Sequence, residues 1–88
     1  MKKDYALKEA KSILSQFNEI VNNENVLPGF PYKTENVIRE FVHLVYAYDS
    51  NLPLNDSIKN ITFNLSEKDV EKIRYYMEFF IHYLDDYS

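Results

Sequence analysis

From Ser66 onward the chain reads SEKDVEKIRYYMEFFIHYLDDYS, a helical run that is apolar on more than one side. A helix advances about 100° per residue, so Val70, Ile73, Met77, Phe80 and Leu84 share one face, with Tyr76 and Ile81 on its margins. Tyr75, Phe79 and Tyr83 fall roughly opposite, where a helix packed on one side only would show water and charge. Such a helix either lies at the centre of a bundle, buried on both sides, or carries an aromatic stripe on the surface.

Two further helices are expected. In the first, from about Asp4 to Asn23, Ala6, Leu7, Ala10, Ile13, Leu14, Phe17, Ile20 and Val21 recur at the spacing of one helical face. Lys8, Ser12, Ser15, Gln16 and Glu19 occupy the other side, and the Asn-rich run 22–25 ends the helix. Residues 26–33 form a linker in which Pro28-Gly29 suits the centre of a type II turn, and Pro31 discourages helix through Phe30. Leu27, Phe30 and Tyr32 make that linker apolar enough to be ordered against the bundle. Thr34 is the expected N-cap of the second helix, which runs from Glu35 to about Asp49. Val37, Ile38, Phe41, Leu44, Val45 and Tyr48 form its buried face, leaving Arg39, Glu40, His43, Tyr46 and Ala47 outside.

Between Ser50 and Leu65 the pattern is weaker. Asn51-Leu52-Pro53 breaks the second helix, and Asn55-Asp56-Ser57 offers caps for a short turn carrying Ile58 and Ile61. Ile61, Phe63 and Leu65 then alternate with polar residues, so an extended connector with inward apolar side chains follows; a strand there would need a partner's strand to pair with. The third helix has the strongest start. Ser66 and Asp69 have the spacing of a capping box, and Leu65 and Val70 that of a hydrophobic staple. The expected fold is all-α: a small three-helix bundle, one domain over residues 1–88, with room for a fourth short helical turn near residues 55–61.

The chemistry open to this chain is narrow. It has no cysteine, which removes disulfides and thiolate sites, and one glycine, which removes a phosphate-cradling loop. No serine sits in a Gly-flanked elbow, and neither His43 nor His82 has a neighbouring serine to activate. Glu40 and His43 have the spacing of half a di-iron motif, but it occurs once and on a polar face. Glu78, His82 and Asp86, at i, i+4 and i+8, line one side of the last helix and form the one candidate set for a divalent cation. No enzyme activity and no cofactor are expected.

Charge narrows the partners. The net charge is −4, and after Arg74 the chain carries Glu78, Asp85 and Asp86 with no Lys or Arg. Nucleic acid needs clustered cations to neutralise phosphates, and an anionic membrane surface needs them too. No stretch approaches the roughly 20 apolar residues needed to span a bilayer, and the N-terminal segment lacks a signal-peptide core, so a cytoplasmic protein is expected. Richness in Asn, Lys, Ile, Tyr and Phe points to an AT-rich genome, bacterial or phage. The expectation for function is a small acidic protein that binds another protein with a basic surface. By analogy of size and charge it would be an inhibitor or immunity-type protein that occludes a toxin or nucleic-acid-processing enzyme. Tyr75, Phe79 and Tyr83 would anchor the contact, with Glu78, His82 and Asp86 beside them. The alternatives are a self-associating helical module, which uses the same stripe as a homodimer contact, and a divalent-metal-binding protein.

Overall fold

A computed structural model describes residues 2–22, 30–59 and 67–86. Among the described residues there are four helices and no strand: α1 Lys3–Asn22, α2 Phe30–Tyr48, α3 Leu54–Ile58 and α4 Glu67–Asp86. The all-α bundle expected from the periodicity is therefore present, with α3 as its short fourth element. No helix among the described residues is long and apolar enough to cross a membrane.

The core follows the helical faces. α1 buries Ala6, Ala10, Ile13 and Phe17, α2 buries Val37, Ile38, Phe41, Leu44 and Val45, and α4 buries Val70, Ile73, Met77, Phe80 and Leu84. Each long helix contributes one fully buried phenylalanine: Phe17, Phe41 and Phe80. Leu7, Leu14, Ile20, Val21, Tyr48, Tyr76 and Ile81 pack at the edges of this core, half-buried.

α1 is the central helix. Its backbone runs close to both α2 and α4. Buried Ala6 and Ala10 permit that approach, because interaxial distance is set by the side chains at the contact. α2 and α4 stand further apart and are bridged by rings. Phe80 meets Phe41 and Tyr48 edge-on, with centroids 6.0 and 5.9 Å apart, the arrangement the ring quadrupoles favour. Among the described helices, then, α4 is not sandwiched: its apolar face covers α1 and reaches α2, while Tyr75 and Phe79 on the opposite side are exposed.

Two local expectations are corrected. α2 begins at Phe30, so Thr34 lies inside the helix rather than capping it. Pro31 falls in the first turn, where its missing N–H has no intrahelical acceptor to lose and its fixed φ suits the helix. Asn55 does not cap α3; Pro53 holds that position. Asn55 is instead buried, and its Nδ2 donates to the Asp49 carbonyl at 2.8 Å. That carbonyl belongs to the end of α2, where Asp49 N–H still bonds the Val45 carbonyl, so Asn55 ties the start of α3 to the finish of α2. No buried side-chain nitrogen or oxygen among the described residues lacks a partner.

The turn at Pro28-Gly29, the side chains of Leu27, Phe30 and Tyr32, the connector through Ile61, Phe63 and Leu65, and the Ser66 cap with its Leu65 staple lie outside the described residues.

Candidate functional site

The outward side of α4 is aromatic. Tyr75 is 61% exposed and Phe79 48% exposed, although Phe80, one residue on, is fully buried. The 100° step per residue produces that contrast: it turns Phe80 onto α1 and α2 and leaves Phe79 beside the core rather than in it. Tyr75 and Phe79, one turn apart, hold their rings 6.3 Å apart and tilted by 32°. Tyr75 also meets Tyr76 edge-on at 6.0 Å. Tyr83 is half-buried against the core.

These rings form one wall of a groove of about 300 Å³. Tyr75, Tyr76, Phe79, Phe80 and Tyr83 line it from α4, and Leu52, Pro53, Leu54 and Ser57 line it from the α2–α3 corner. The lining is mostly apolar, with tyrosine and serine hydroxyls among its residues, as small binding clefts usually have a few polar groups.

A polar contact lies at the edge of the face by which α4 packs on the core. Arg74 Nε donates to Asn18 Oδ1 of α1 at 2.8 Å, and Arg74 Nη1 reaches Glu71 Oε1 at 2.8 Å within α4. With Arg74 turned toward α1, the next residue, Tyr75, must point away from it.

Of the residues expected to bind a partner, Tyr75, Glu78, Phe79, His82 and Asp86 are exposed and Tyr83 is half-buried. Tyr75, Phe79 and Tyr83 share the groove wall; Glu78, His82 and Asp86 lie outside its lining. Among the described residues no three acidic or imidazole side chains stand where they could hold a metal ion, so Glu78, His82 and Asp86 do not form a cation site.

Sequence reasoning missed the second wall. Two leucines flanking Pro53 immediately after a helix break are too apolar for a free loop, and that was the available signal. Elsewhere, a wider groove between α1 and α2 is lined by Tyr5, Glu9, Ile13, Glu40, His43, Leu44 and Ala47. On α2, Arg39 is bonded to Glu35 through Nη2 at 2.7 Å and Nε at 3.0 Å, the ordinary ion pair of a solvated helix face. Set against protein-family models, curated proteins and solved structures, the chain matches none of them.

Proposed function

We propose that this protein works in the cytoplasm by binding another protein, as an inhibitor of the immunity type. It would cover a basic surface on a toxin or a nucleic-acid-processing enzyme. The observation that carries this reading is the pair Tyr75 and Phe79, one turn apart with rings tilted against each other, exposed on the wall of an apolar groove. Aromatic side chains bring large contact area at little entropic cost, which is why they concentrate at the centres of interfaces. Glu78, Asp85 and Asp86 are exposed on the same half of α4, which has no cation after Arg74. They would steer a basic partner and select against an acidic one. Such a protein carries out no catalysis of its own and needs no cofactor.

A photo-crosslinking residue placed at Phe79, with a second chain carrying it at exposed Tyr46 on α2 as control, tests the proposal in source cells. The expected result is an adduct between position 79 and a basic protein, absent from position 46. An adduct only with a second copy of this chain, the same adducts from both positions, or none at all would contradict it.

A further inference from the structure

Lys72, Phe79 and Asp86 recur every seven residues along α4, so they lie close to a single line down the helix. All three are exposed. Phe79 is the midpoint: Lys72 stands two turns before it and Asp86 two turns after, about 10 Å away in each direction. Neither Lys72 nor Asp86 makes an ion pair among the described residues. The aromatic residues are distributed about the same centre. Tyr75 and Tyr83 are equidistant from Phe79, as are Lys72 and Asp86.

A surface with opposite charges at equal distances from an exposed ring is complementary to its own antiparallel copy. We propose that two copies of this chain pair antiparallel along α4, with Phe79 on the two-fold axis. Phe79 then meets its counterpart, Tyr75 of one copy faces Tyr83 of the other, and Lys72 faces Asp86 at both ends. A parallel pairing in the same register would set Lys72 on Lys72 and Asp86 on Asp86, so the charges select the antiparallel arrangement. Exposed Glu71, Glu78 and Asp85 form a separate row beside this line and remain in solvent.

One face of a helix of this length buries less than the roughly 1,200 Å² of a standard interface, so the pairing is a weak one, with a dissociation constant of about 1–100 µM. It does not rest on the inhibitor reading. A second copy would cover the aromatic rings in the isolated protein, and a basic partner would have to displace it.

Sedimentation across a concentration series, at low salt, tests the pairing with the wild-type chain, Phe79→Ser, Lys72→Glu, Asp86→Lys and the double variant Lys72→Glu/Asp86→Lys. All the changed residues are exposed, and circular dichroism checks that helicity is retained. The wild type is expected to pass from monomer to dimer over the micromolar range, and Phe79→Ser to stay monomeric. Each single charge reversal should weaken the dimer about tenfold, because the two-fold axis turns one reversal into two like-charge contacts. The double variant, which restores both pairs with their signs exchanged, should recover to within about threefold of wild type. A wild type that stays monomeric throughout would overturn the proposal, and so would a dimer that Phe79→Ser leaves intact or a double variant no tighter than the singles. If that monomer still bound a basic protein through Tyr75 and Phe79, the inhibitor reading would survive alone.

Discussion

Arg74 of α4 and Asn18 of α1, 56 residues apart in sequence, are joined by a 2.8 Å hydrogen bond from the guanidinium Nε to the amide Oδ1. This bond agrees with the rotation of α4 that its buried face of Val70, Ile73, Met77, Phe80 and Leu84 sets. With Arg74 held toward α1, Phe80 points into the core and Tyr75 and Phe79 point out of it. The division of one aromatic helix into a structural side and a presenting side follows from its buried apolar face, and a polar contact at the edge of that face accompanies it.

Neighbouring phenylalanines should respond oppositely to truncation. Phe80→Ala removes a fully buried ring and its contacts with Phe41 and Tyr48. It should cost about 3–5 kcal/mol, much of the 5–10 or so that holds a domain of this size. Phe79→Ala should cost less than about 1 kcal/mol. Urea denaturation followed by circular dichroism checks both. Equal losses would mean that Phe79 is core.

Asn18→Ala should destabilise by roughly 1 kcal/mol, because the partly buried Arg74 loses its partner on α1. That corresponds to a fall of about 4–8 °C in Tm. Glu71→Ala, which removes an exposed carboxylate from the same arginine, should cost under about 0.5 kcal/mol. Thermal melts of the two variants decide the matter. A larger effect from Glu71 would place Arg74's stabilising contact within α4 rather than between helices.

Asn55→Ala should cost about 1–2 kcal/mol, since the Asp49 carbonyl would lose the amide that closes α2 against α3. Hydrogen exchange should show faster opening around residues 49–58 and little change in α1. Unchanged exchange there would show that the α2–α3 corner is held by Leu54 and Ile58 alone.

The helical faces were legible because large apolar residues repeat at helical spacing in three stretches, and every residue assigned to the buried faces of α2 and α4 is buried or half-buried. The short α3 was legible from the break at Pro53 and the polar residues after it. The start of α2 was not, because proline is a helix breaker in the interior but acceptable in the first turn, and the sequence does not say which applies to Pro31. Asn55 looked like a cap because asparagine usually is one, and its actual partner is fixed only when α3 folds back on the end of α2. The groove needed two walls from segments distant in sequence. Tyr75, Phe79 and Tyr83 could be assigned to a stripe, but their exposure depends on which helix is central. Ala6 and Ala10 hold that place for α1, and small residues at a helix contact leave a weak trace in hydropathy.

The measurement that bears most directly on α4 as a docking surface is affinity capture from source-cell extract by immobilised wild-type chain and by the double variant Tyr75→Ser/Phe79→Ser, at low and high salt. The double variant should keep its helicity, since both rings are exposed. The expected result is a basic protein retained by the wild type at low salt, reduced at high salt, and lost from the double variant. The same proteins in the same amounts on both chains would contradict it.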